Sequence, residues 1–147
     1  MTEITRLLGE DHSRCDGLFA AAESAVSRQQ WDDAVRIFAA FRAALTRHFT
    51  AEEAALFPAF EAHTGMRAGP TQVMRAEHTQ MTGLLERMAD ALARRDDAGY
   101  LGESETLLML MRQHNLKEEQ ILYPMCDRTL GEDTALMAAI EHALQGT

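Results

Sequence analysis

Six side chains of the kinds that hold metal ions fall where this sequence should be apolar: His12, His48, Glu52, His78, His114 and Glu118. Four of them lie in two matching stretches. Residues 48–58 read HFTAEEAALFP and residues 114–124 read HNLKEEQILYP. Each has a His, a Glu four residues on, a second Glu directly after, and then Leu-aromatic-Pro at the same offsets. Residues four apart share one face of an α-helix. His48 with Glu52, and His114 with Glu118, therefore present an imidazole beside a carboxylate. Such donors suit iron, manganese or zinc, and a carboxylate can bridge two ions.

The phrase recurs because the whole chain does. One constant offset, with no gap, aligns His12 with His78, Gly17 with Gly83, His48 with His114, Glu52 with Glu118, and Glu53 with Glu119. It also pairs Leu56 with Leu122, Phe57 with Tyr123, Pro58 with Pro124, and Gly65 with Gly131. The chain reads as two related helical hairpins with approximate two-fold symmetry.

Those hairpins must position the six donors. Apolar residues recur at helical spacing nearly throughout, and no segment alternates long enough for a strand. The pattern predicts helices over about 3–28, 31–63, 70–94 and 98–129, with a short amphipathic helix near 132–145. Short connections at 28–30, 64–70 and 94–99 make the neighbours antiparallel. The expected fold is thus all-α, an up-down-up-down four-helix bundle over a single domain, residues 1–147. Pro70 suits a first helical turn, where a missing N–H costs nothing, and Gly65 and Gly131 suit helix ends.

The inward stripes run Leu8, His12, Cys15, Phe19 on the first helix and Phe41, Leu45, His48, Glu52, Leu56 on the second. The third carries Met74, His78, Met81, Leu85. The fourth carries Met111, His114, Glu118, then Ile121 or Leu122, and Met125. His12 and His48 stand equally far on either side of Gln30, and His78 and His114 stand at that same separation from Asp96. All four therefore fall at one height, roughly 27 Å from the hairpin turns at the usual helical rise. Two carboxylates and four imidazoles buried without partners would cost many kcal/mol in lost hydration. A metal centre removes that penalty, and this donor set fits a dinuclear one.

These residues resemble the hemerythrin-like family, also called the HHE cation-binding domain. The resemblance rests on His12, the His48-xxx-Glu52 pair, His78, and the His114-xxx-Glu118 pair, with the EExxLFP and EExxLYP tails, and it spans nearly the whole chain. It implies a non-haem centre of two iron ions bridged by Glu52, Glu118 and a solvent-derived oxo or hydroxo group. It also implies a small inorganic ligand (oxygen, peroxide or nitric oxide) and a place in oxidative or nitrosative stress responses or iron–sulfur repair. The alternative is a non-catalytic iron or oxygen sensor or metal-binding protein. Oxygen carriers of the family typically add a second His on the third helix, where Thr82 stands here, and use His-xxxx-Asp on the fourth. That difference turns the expectation away from reversible oxygen carriage.

Other residues draw plainer expectations. Glu53 and Glu119 are turned about 100° from the neighbouring Glu and read as surface carboxylates or as groups that orient a ligand His. Tyr123 reads first as a packing aromatic, with donation to the site by the hydroxyl that Phe57 lacks as the second reading. Cys15 and Cys126 read as core residues and do not make a disulfide framework. Pro58 and Pro124 should bend their helices just beyond the site. A net charge of −9 without a basic cluster argues against nucleic acid or anionic membrane as partner. No apolar run is long enough to span a bilayer. The N-terminus does not read as a secretory signal, so the expectation is a cytoplasmic protein, monomer or homodimer.

Overall fold

The computed structural model describes residues 3–146. Helix α1 spans Glu3–Ser27. Helix α2 is one continuous rod over residues 31–64, built from Trp31–Ala51, a wider π-helical turn at Glu52–Leu56, and Phe57–Thr64. Helix α3 spans Pro70–Ala93. Helix α4 repeats the plan of α2 with Asp97–Lys117, a π-helical turn at Glu118–Leu122, and Tyr123–Leu130. Helix α5, Thr134–Gln145, closes the chain. No strand occurs among the described residues. The fold is the expected all-α bundle, with every helix end within two residues of its predicted place. No described helix is long and apolar enough to cross a membrane.

Helix ends are set by local chemistry. The α1–α2 turn closes with Gln30 N–H donating to Ala25 O (2.9 Å) and Gln29 N–H donating to Val26 O (2.9 Å). Asp96 and Arg95 donate to Ala91 O and Leu92 O in the same way at the α3–α4 turn. This paired pattern needs a left-handed residue after the helix. Gln29 (φ 57°) and Arg95 (φ 53°) fill that role at equivalent places in the two repeats. Gly65 ends α2 at φ 74°, whereas Gly131 stays right-handed. The first N–H groups of α1 have no partner within the helix. Asp127 of α4 supplies one, accepting from Ile4 N–H (2.8 Å), Thr5 N–H (3.2 Å) and the Thr5 hydroxyl (2.6 Å).

Helix α1 packs on α2 and α3 on α4 as two hairpins, and α5 lies across α2. The core between them is in two parts. One cluster, including Phe19, Phe38, Phe41, Met88 and Leu107, fills the end near the hairpin turns. The other, including Ile4, Leu56, Phe60, Cys126 and Ile140, fills the opposite end. Between them lies a buried layer of polar side chains.

The π-helical turns start at Glu52 and Glu118. Phe57 N–H reaches back five residues to Glu52 O, and Tyr123 N–H to Glu118 O. Such a turn holds one extra residue and shifts the phase of everything after it. Pro58 and Pro124, having no N–H, stand where the bonding returns to the ordinary α-helical step. The place of the prolines just beyond the site was legible in the sequence; the wider turn before them was not. Its effect is plain on α4, where Leu122, Tyr123 and Cys126 turn inward while Ile121 is 56% exposed.

Two substitutions test this frame. Arg95→Gly should raise stability by about 0.5–1 kcal/mol, since a left-handed backbone disfavours every residue but glycine. Asp127→Ala should lower it by about 1–2 kcal/mol through loss of the α1 cap. Urea unfolding measures both.

Candidate metal centre

All six sequence-predicted donors meet in the polar layer. His12 is 4% exposed, His78 and His114 2%, His48 1%, and Glu52 and Glu118 0%. One His comes from each of α1 to α4, and the carboxylates come from the first residue of each π-helical turn. Ligand atoms of Glu52, His78, His114 and Glu118 all lie within 4.8 Å of one another, and so do those of His12, His48 and Glu118. Glu118 belongs to both groups.

Each imidazole turns its Nε2 inward and gives its Nδ1 to a carboxylate. His12 pairs with Glu119 (2.6 Å), His78 with Glu53 (2.5 Å), His48 with Asp11 (2.7 Å) and His114 with Glu77 (2.7 Å). The four pairs obey the two-fold, because the repeat that maps Glu53 onto Glu119 also maps Asp11 onto Glu77. Bonds of this kind fix the tautomer, aim the ring and raise the basicity of the free nitrogen. Glu53 and Glu119, 41% and 42% exposed, are the orienting carboxylates for His78 and His12. Asp11 is held in turn by Arg14 (2.7 Å), and Glu77 by Lys117.

Sequence reasoning missed Asp11 and Glu77. Both stand directly before a ligand-type His in the same repeat register, and that pairing was the available signal. Tyr123 needs a correction. It does more than pack: its hydroxyl donates to Glu52 Oε2 at 2.6 Å and lies 2.9 Å from Glu118 Oε1. It also sits 3.2 Å from His48 Nε2 and 3.3 Å from His12 Nε2. The extra residue in the α4 turn is what rotates it inward. Cys15 and Cys126 are buried with thiols pushed up to about 12, chiefly by burial, so both are core residues rather than reactive ones.

Four buried atoms of the cluster have no hydrogen-bond partner: Glu52 Oε1, His78 Nε2, His114 Nε2 and Glu118 Oε2. His78 Nε2 approaches Glu52 Oε1 to 3.0 Å and His114 Nε2 approaches Glu118 Oε2 to 3.3 Å, but neither pair is aligned as a hydrogen bond. Lone-pair atoms converging on one buried point, each without a donor, are what a cation requires and what a folded protein otherwise avoids. The residues present therefore fit a metal group, and the cluster is one able to bind metal.

Without a metal, protons must supply the positive charge. Burial alone would depress the His48 imidazole, but Glu52 and Asp11 outweigh it and raise its pKa to about 10. His114 is likewise raised against burial, by Glu118, Glu52 and Glu77. Burial would raise the Glu52 carboxyl, yet His48 and further hydrogen bonds hold it well below its usual value. Tyr123 is pushed well above the ordinary phenol range by burial and by the Glu118 and Glu52 charges.

The Phe49 ring lies parallel to His78, centroids 3.9 Å apart. Beside it a cleft of about 800 Å³ opens between α2 and α3, lined by residues that include Phe49, Glu53, His78 and Thr82.

Among known families, the model described as the hemerythrin HHE cation binding domain matches residues 3–126, a span that includes all six donors and stops short of α5. No curated protein and no solved structure matches the chain.

The charge balance sets a pH profile for the metal-free protein. Stability from the raised His48 is fully present below its unfolded pKa of 6.5 and is lost as pH climbs through about 10. Stability from the depressed Glu52 is present above its unfolded value of 4.5 and is lost as pH falls below that. Melting of the metal-free protein should therefore be highest between about pH 4.5 and 6.5 and decline on both sides. Metal replaces the protons, so loading should release them and strengthen as pH rises. Calorimetry in buffers of different ionisation enthalpy reads that release.

Proposed function

The chain belongs to the hemerythrin HHE cation-binding family, and from that premise we propose that it is a non-haem di-iron protein that binds or reduces a small inorganic ligand. The ligand is oxygen, peroxide or nitric oxide. The setting proposed with it is cytoplasmic, in oxidative or nitrosative stress or iron–sulfur repair, with neither nucleic acid nor membrane as partner. One observation carries the dinuclear reading: two donor groups share Glu118, while the two oxygens of Glu52 face opposite halves, Oε1 toward His78 and Oε2 toward His48. A carboxylate placed so suits a bridge between two ions.

In this reading His12 and His48 would hold one ion, His78 and His114 would hold the other, and Glu52 and Glu118 would serve both. Two irons bound there would supply open coordination and two electrons to the small ligand. The protein's own part is placement. Asp11, Glu53, Glu77 and Glu119 fix the four rings by their Nδ1 bonds. Apolar residues above and below the layer exclude bulk water, which strengthens each charged contact inside it. The absence of a second His at Thr82 supports ligand chemistry other than reversible carriage.

Metal analysis after anaerobic ferrous reconstitution tests the proposal. About two irons per chain are expected, with Glu118→Ala holding one or none, since both donor groups lose a member. Mixing the reduced protein with oxygen, peroxide and nitric oxide should change its spectrum with at least one of them. Consumption of many equivalents of peroxide would make it an enzyme, and a single change of state per ligand would make it a sensor. A metal-free chain, or one that takes only zinc, would overturn the reading.

A further inference from the structure

The side chains that face the buried point, His12, His48, Glu52 and Phe57 in one half and His78, His114, Glu118 and Tyr123 in the other, are alike except for one oxygen atom. Phe57 and Tyr123 occupy symmetry-related positions, and each ring stacks on the His of the other half. Phe57 lies 5.9 Å from His78 with planes 19° apart, and Tyr123 lies 5.6 Å from His12 with planes 23° apart. Only Tyr123 carries a hydroxyl. That oxygen sits among Glu52 Oε2, Glu118 Oε1, His48 Nε2 and His12 Nε2, at 2.6, 2.9, 3.2 and 3.3 Å.

Four such neighbours are too many for a phenol. A tyrosine has one proton to donate, and the shortest contact takes it to Glu52 Oε2. A metal ion takes imidazole in its neutral form, and with the Nδ1 positions engaged by Glu119 and Asp11 the inward Nε2 atoms then carry the lone pairs. Lone pairs therefore face the Tyr123 oxygen from three sides, and a cation among them turns repulsion into coordination. On the other side no hydroxyl is present. There Glu52 Oε1, Glu118 Oε2, His78 Nε2 and His114 Nε2 lack any hydrogen-bond partner. Of the four histidines, His78, on that same side, is the one that lines the α2–α3 cleft.

We infer that Tyr123 makes the centre unequal: its oxygen is a protein ligand to the ion held by His12 and His48, while the small ligand binds at the ion held by His78 and His114, reached through the α2–α3 cleft. This rests on the dinuclear reading above. Coordination replaces the phenolic O–H bond with an oxygen–metal bond, and the proton leaves to solvent. No electrons are transferred in that exchange. Phe57 keeps the equivalent position on the other ion free of any protein oxygen.

The test uses the iron-loaded, oxidised protein and two single substitutions. Wild type should hold two irons and show the visible absorption band of phenolate-to-ferric charge transfer. Tyr123→Phe should keep its helix content and one iron, lose the band, and bind the second iron at least about tenfold more weakly. Azide, a small anionic probe, should perturb the wild-type spectrum, and Phe57→Tyr should block it by placing an oxygen in the open position. Two irons without the band in wild type, or a band that survives Tyr123→Phe, would overturn the ligand assignment while leaving the dinuclear centre intact. Azide binding undiminished in Phe57→Tyr would overturn the assignment of the open side. A wild type that holds no iron would remove the dinuclear reading and this inference with it.

Discussion

Everything in this bundle is arranged around a buried point where lone pairs meet and positive charge is required. Two carboxylates and four imidazoles lie in a plane that cuts the apolar core in two. Left neutral, those atoms repel or lose hydration without return. Protonated, they carry raised imidazole pKa values, as at His48. Either way the four helices must hold the layer at one height, which explains equal hairpin arms and the strict register of the repeat. The outer carboxylates extend the same logic by a step: each one orients a ring and offsets part of its charge.

The π-helical turns are the second determinant. In a plain α-helix the residues following Glu118 on the inner face would be Ile121 or Leu122, and then Met125. One additional residue in the turn sends Leu122, Tyr123 and Cys126 inward instead. The carboxylate at the head of the turn and the aromatic residue at its foot then both reach the polar layer. Wide turns of this sort are costly to a helix and tend to occur at functional sites. Here the proline that follows removes a donor where the bonding changes step, which makes the distortion cheap in the same place on α2 and α4.

Much of this was legible before any coordinate. Helical periodicity located the five helices, and the repeat located the six donors, because ligand-type residues at core positions violate the expected pattern in the same way twice. Asp11 and Glu77 escaped because a carboxylate on a helix shoulder is ordinary; only the identity of its contact across the bundle distinguishes it. Tyr123 was misjudged for a different reason. Its inward turn depends on a backbone register that side-chain periodicity does not encode, so the aromatic at that position read as packing. What was lost in both cases was information about phase and partner, while element and spacing were readable.

The Nδ1 bonds have a consequence for the origin of the chain. His12 leans on Glu119 and His78 on Glu53, so each hairpin finishes the other's site and neither encloses a centre by itself. A lone hairpin bearing one copy of the HxxxEE phrase would nonetheless have all it needs to close such a site by pairing with its twin. Joining two copies in one polypeptide lifts the requirement that they stay identical. Phe57 and Tyr123 are one place where the two halves differ: a symmetric dimer must write the same residue twice, and only a fused one can write two.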